Sequence, residues 1–264
     1  EFGIATSNSV FVRKAELNSF NDEASKTIEA EEGRPFELKC SPPDGYPKPT
    51  VNWLIQQVDG GIKSINNSRM TLDPEGSLWF SNVTREDASE DFSYACSATS
   101  VFRNEYKIGN RVFLLVNQPG ISSSQNKHAP VRQYVTRKKE YGLRDKKVEL
   151  YCIYGGTPLP QTVWTKDGKK IDWNDRISQG HYGKTLIIRH ATFEDAGTYT
   201  CDVSNGVGQE GGFHEYSQPL DTKSAGRQSV NSAKHGPESD TDSMAEYGDG
   251  DTGRFKVVAS QKTS

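Results

Sequence analysis

Long apolar runs are missing from this sequence. The longest unbroken aliphatic and aromatic stretch is Val112–Val116, far short of the ~18 residues a membrane helix needs. The chain opens on Glu1 with neither a basic start nor an apolar core, so no export signal is expected at this end. Net charge over the 264 residues is −3, too small to steer the chain as a whole toward nucleic acid or a charged surface. The five histidines, His128, His181, His190, His214 and His235, are scattered without metal-ligand spacing. No phosphate-binding loop or nucleophile elbow occurs. Catalytic, cofactor-binding and metal-binding residues are therefore all expected to be none, and the chain does not read as an enzyme. Hydrophobic residues make up 33%, low for a compact globule, so part of the chain is expected to bury nothing.

Cysteine is also scarce, but its four occurrences are organised. Trp164 lies 37 residues before Cys201, and Cys152 lies 12 before Trp164. The stretch Asp195–Cys201 places Tyr199 two residues before the cysteine, the position of a tyrosine corner, with Gly197 at the bend and Asp195 free to pair with a base. Cys…Trp…Cys with such a corner is the signature of an immunoglobulin sandwich. Cys40, Trp53 and Cys96 repeat it, with Tyr94 in the corner position. That second corner is looser: Glu90 stands six before the cysteine, no glycine precedes Tyr94 at the bend, and Asp87 is placed to supply the carboxylate through a longer turn. Four cysteines allow three pairings, and the tryptophans, Trp53 and Trp164, select Cys40–Cys96 and Cys152–Cys201. Each bridge closes a loop worth about 4 kcal/mol in the chain-entropy model. Such bridges persist in oxidising compartments. Asn66 and Asn82 head sequons that fit the same compartment as N-glycan acceptors.

The fold class expected is all-β: two intermediate-type immunoglobulin sandwiches in tandem plus a disordered C-terminal tail. Residues 1–12 read as the orphan last strand of a preceding immunoglobulin domain, or as a loose terminus. Residues 16–116 form the first domain, with Phe36, Leu38 and Cys40 on one strand, Val51, Trp53 and Ile55 on the next, and Lys107–Val116 as the last. Residues 117–129 are a polar hinge. Residues 130–208 form the second domain, which stops without its last strand and so leaves an edge open. The orphan segment Phe2–Val12 is a candidate to dock there. Residues 209–264, poor in apolar residues and acidic up to Asp251, are expected to be disordered.

Local features each carry two readings. The basic run Arg132, Arg137, Lys138, Lys139, Arg144, Lys146 and Lys147 suits a sulfated glycan, or is a solvated edge whose charges discourage sheet pairing. Trp79 and Trp173 are not core tryptophans; Trp79 points outward from Leu78 and Phe80 as an interface anchor or lies under a loop. Ser239, Thr241 and Ser243 sit among acids and are candidate phosphorylation sites, or part of a solvated linker.

Longer matches sharpen this. Glu1–Val10, Ile65–Glu75 and Tyr154–Trp164 resemble the ectodomain of the immunoglobulin-superfamily neural cell adhesion receptors, and Gly211–Ser229 and Thr241–Tyr247 resemble their cytoplasmic tail. The resemblance implies the end of a first immunoglobulin domain, a second, and most of a third, joined to tail sequence. It implies homophilic or heterophilic cell–cell recognition in axon growth and guidance, an extracellular or plasma-membrane setting in the parent protein, and partners that are other immunoglobulin-superfamily ectodomains. It also implies that the second and third domains pack side by side through the hinge. An ankyrin-type partner is implied for the tail, but the family's Phe-Ile-Gly-Gln-Tyr motif does not follow Phe255, where the chain reads Lys256-Val-Val-Ala-Ser260. With no membrane span between the two kinds of sequence, the chain reads as non-anchored: a truncated or mis-spliced product, or an incomplete gene model. The alternative function is a soluble secreted immunoglobulin-domain decoy or ligand-binding modulator.

Overall fold

Short β-branched and aromatic runs broken by glycine, proline and aspartate turns give a structure made of strands. The computed structural model describes residues 8–136, 140–207 and, as backbone, 254–263. In the first half these strands are β1 (Glu16–Leu17), β2 (Lys26–Glu31), β3 (Phe36–Leu38), β4 (Gly45–Tyr46), β5 (Thr50–Gln57) and β6 (Ile62–Ser64). They continue as β7 (Met70–Leu72), β8 (Leu78–Phe80), β9 (Phe92–Ser100), β10 (Glu105–Ile108) and β11 (Val112–Asn117). The second half holds β12 (His128–Val135), β13 (Glu140–Leu143), β14 (Val148–Thr157), β15 (Gln161–Lys166) and β16 (Lys169–Lys170). It ends with β17 (Ile177–Gly180), β18 (Thr185–Ile188), β19 (Gly197–Ser204) and β20 (Arg254–Thr263).

Each half is a two-sheet sandwich. In the first, β2-β11-β9-β5-β6, with β10 also on β9, faces β3-β8-β7. In the second, β13-β20-β19-β15-β16 faces β12-β14-β18-β17. The inward positions of facing strands make two separate cores. One gathers Leu38, Trp53, Phe80, Tyr94 and Leu114, and the other Leu150, Trp164, Leu186, Tyr199 and Val203. Disulfides Cys40–Cys96 and Cys152–Cys201 join the sheets of each sandwich.

Two expectations about strands are corrected. Lys107–Val116 is not one strand: β10 forms a hairpin with β9, the chain breaks at Gly109, whose N–H donates to the Cys96 carbonyl (2.7 Å), and β11 begins at Val112. The edge of the second sandwich is not open either. Residues 254–263, placed by the sequence in a disordered tail, lie beside β19 as β20, parallel to it from Gly197↔Val257 to Val203↔Thr263. The other side of β20 pairs antiparallel with β13. An unpaired edge offers a row of backbone donors and acceptors, and Phe255, Val257 and Val258 have high strand propensity. β20 fills this place; of the orphan segment, residues 8–12 form no strand and Val10, Phe11 and Val12 are exposed, while residues 1–7 lie outside the described residues.

Candidate functional site: the seam between the sandwiches

The base of each sandwich is held by the same three groups. Tyr94 Oη donates to the Asp87 carbonyl and Tyr199 Oη to the Asp195 carbonyl, both at 2.8 Å. Arg69 grips the Asp87 carboxylate with two bonds (2.7 and 2.8 Å), and Arg176 grips Asp195 the same way (2.6 and 2.9 Å). Each carboxylate also accepts a turn amide, from Thr84 or Thr192. Burial would raise the Asp195 carboxyl's pKa, but the Arg176 and Thr192 bonds outweigh it and hold the group below the usual range. Burial pushes the Tyr94 and Tyr199 phenols well above theirs. The two arginines were not singled out from sequence; only the need for a base opposite the carboxylate was legible. The core tryptophans match as well. Trp53 Nε1 donates to the Gly76 carbonyl (2.8 Å) and Trp164 Nε1 to that of Gly183 (2.7 Å).

The sandwiches meet along a polar seam. The turn after β8, residues 81–84, lies against the end of β14. Ser81 O accepts from Gly156 N–H (2.8 Å), Ser81 Oγ donates to Tyr154 O (3.2 Å), and Asn82 Nδ2 donates to Gly156 O (2.7 Å). Gln133 Nε2 reaches Phe80 O (2.7 Å), and Thr157 Oγ1 donates to Gly33 O. The approach is backbone to backbone: a Cβ on Gly155 would stand 2.6 Å from Pro35 Cβ and 2.7 Å from Ser81 O. The hinge is fastened too. Asn126 Nδ2 donates to Glu32 O (2.9 Å), and its side chain fills the space beside Gly33, whose φ of +86° favours glycine.

At the centre of the seam is Lys184, 4% exposed. Its ammonium donates to Ser68 O (2.7 Å), Thr71 Oγ1 (3.0 Å) and Ser81 Oγ (3.0 Å), all on the first sandwich and all neutral. Burial first, and then the charge of Arg69, lowers its pKa to about 8. Nothing in the sequence marks this lysine, because its partners lie more than 100 positions away.

The other sequence candidates scatter. Asn66 is exposed and its Oδ1 accepts from Tyr182 Oη across the seam (3.0 Å). Asn82, by contrast, is 6% exposed and committed to the seam. Trp79 donates to Asp73 Oδ2 (2.8 Å) and so lies against its own loop, whereas Trp173 is exposed. Among the described members of the basic run, Lys147 pairs with Glu149, Arg144 with Asp145, and Arg132 lies on β12. Its members Arg137, Lys138 and Lys139 lie outside the described residues, as do Ser239, Thr241 and Ser243. Among the described residues no cluster of three His, Cys, Asp or Glu could hold a metal ion, and no helix is long and apolar enough to cross a membrane.

Two disulfide-bridged sandwiches with paired tyrosine corners define the class: two immunoglobulin-type sandwiches in tandem. Residues 130–205 match the family "Immunoglobulin domain" and residues 198–257 match "Bravo-like intracellular region". The chain is similar to neuroglian of Drosophila melanogaster, 74% identical over 214 residues, which is 81% of this chain and 16% of that protein. It is 35% identical to hemolin of Manduca sexta over 78% of this chain and 51% of hemolin. The chain thus spans a minor part of neuroglian and about half of hemolin. A crystal structure of insect hemolin superposes over 95% of this chain and 54% of its own with a TM-score of 0.67 at 25% identity, so one superposition takes in both sandwiches.

Proposed function

We propose that this chain is the recognition part of a cell-surface adhesion receptor, with its sandwiches outside the cell and its partners the immunoglobulin domains of like or related molecules. The observation that carries the reading is the docked pair of sandwiches. Hemolin, whose domain arrangement is described as having implications for homophilic adhesion, aligns with both halves in one superposition, and the extended similarity to neuroglian points the same way. A seam built of hydrogen bonds between two domains fixes their relative orientation, and a fixed orientation turns two domain surfaces into one recognition face. The segment matching a Bravo-like intracellular region supports an ankyrin-type partner for the parent receptor, and axon growth and guidance as its setting.

Beads coated with the full chain test this. Clustering of coated beads with one another, lost on reduction of the two disulfides, is expected. Coated beads that stay dispersed, and that also fail to join beads bearing neuroglian or hemolin, would contradict adhesion of either kind.

A further inference from the structure

The sequon Asn82-Val83-Thr84 lies on the seam, and its chemistry conflicts with the docked arrangement. Asn82 Nδ2, the atom that would carry a sugar, donates to Gly156 O at 2.7 Å and is buried. The neighbouring backbone approach has no room even for a methyl group on Gly155, so a sugar ring at Asn82 cannot be accommodated while the seam is closed. The third residue of the sequon, Thr84, heads the turn at Arg85–Asp87 in a capping box, its side chain facing the Asp87 amide and its own N–H donating to Asp87 Oδ2 (2.7 Å).

We propose that Asn82 is an N-glycan acceptor and that its modification holds the two sandwiches apart, so that glycan occupancy at this residue selects between a closed and an open pair. In the secretory route the acceptor segment meets the glycosylation machinery before the later sandwich has been made. The amide Nδ2 then displaces the diphosphate of a lipid-linked oligosaccharide at C1 of its first sugar. A C–N bond forms, the C–O bond to the diphosphate breaks, and one amide proton leaves to solvent. Once modified, Asn82 cannot re-form its bond to Gly156, and the Ser81, Tyr154 and Lys184 contacts beside it are lost with it. Opening uncovers the polar edge at Ser81–Val83 and returns the Lys184 ammonium to water. Asn66 is the contrasting sequon: it is exposed, and among the described contacts its amide nitrogen donates to nothing.

The inference rests on the extracellular placement proposed above but not on adhesion. The full chain is secreted from insect cells behind an added export signal, beside a T84V variant that keeps the Asn66 sequon. Glycopeptide mass spectrometry and small-angle scattering are then applied to both. The expected result is carbohydrate at Asn82 in the parent chain and a radius of gyration larger than that of T84V by roughly a quarter, the scale on which two compact sandwiches side by side differ from two held apart. An unmodified Asn82 in the secreted chain would overturn the proposal, and so would a glycan at Asn82 with equal radii. Neither readout depends on bead clustering, so failure of adhesion and failure of this inference are separable.

Discussion

The first sandwich closes its larger sheet with local sequence, since only 11 residues separate β9 from β11, whereas 49 separate β19 from β20 in the second. The direction differs too. β11 runs antiparallel to β9 and parallel to β2, while β20 runs parallel to β19 and antiparallel to β13. β20 occupies the same lane of the sandwich with reversed polarity. What the second sandwich requires is therefore a strand of sufficient length beside β19, and chain direction is secondary. Distance along the chain is a weak obstacle: the longer loop adds only about 1.3 kcal/mol of closure entropy over the shorter one.

Removing residues 254–264 breaks this comparison most severely. The ladders to both β13 and β19 go, and two edges are left unpaired, so the second sandwich is expected to lose on the order of 5 kcal/mol. Thermal unfolding followed by calorimetry should then split in two, with the first sandwich melting where it did before. A smaller effect separates the two bases. D87A strands a half-buried arginine and is expected to be destabilising by about 3 kcal/mol. D195A should be milder, because Arg176 is 38% exposed against 17% for Arg69 and solvent screens what remains. Urea midpoints of the two variants read the difference. With its carboxyl held low, Asp195 contributes stability above the ordinary carboxylate pKa that is lost as pH falls through the lowered folded value. In D195N that acid-side loss should be reduced.

Lys184 tests the link between the sandwiches. Docked, it titrates near 8; undocked, it returns to the ordinary lysine value near 10.5. The docked state holds fewer protons between those values, so docking should tighten as pH rises from about 8 toward 10.5 and stay level below 8. K184M should flatten that slope and weaken docking by about 1–3 kcal/mol, since three acceptors on the first sandwich lose their donor. Energy transfer between dyes on the two sandwiches would report it. The smallest effects belong to Y94F and Y199F, about 1 kcal/mol each. They should be alike, because both phenols make the same 2.8 Å bond.

What was legible in sequence follows from how local each feature is. The Cys–Trp–Cys spacing, both tyrosines, Asp195 and the substitute Asp87 could be read because a sandwich core repeats them at characteristic distances. The extra three residues between Asp87 and Tyr94, compared with Asp195 and Tyr199, are absorbed by residues 88–91, and the corner bond forms unchanged. The seam was not legible. Asn82 reads as an ordinary surface sequon and Lys184 as an ordinary surface lysine until another domain covers them. β20 was missed for a related reason: the acidic, apolar-poor stretch before it dominated the composition, although Phe255, Val257 and Ala259 alternate as a strand does.

Amide hydrogen exchange along Gly197–Val203, in the full chain and in a chain ending at residue 253, is the most direct test of how the second sandwich is closed. Protection along Gly197–Val203 in the full chain, lost on truncation at the alternate amides that face away from β15 while β9 in the first sandwich keeps its own, is the predicted result. Equal protection of Gly197–Val203 in both chains would contradict closure by β20.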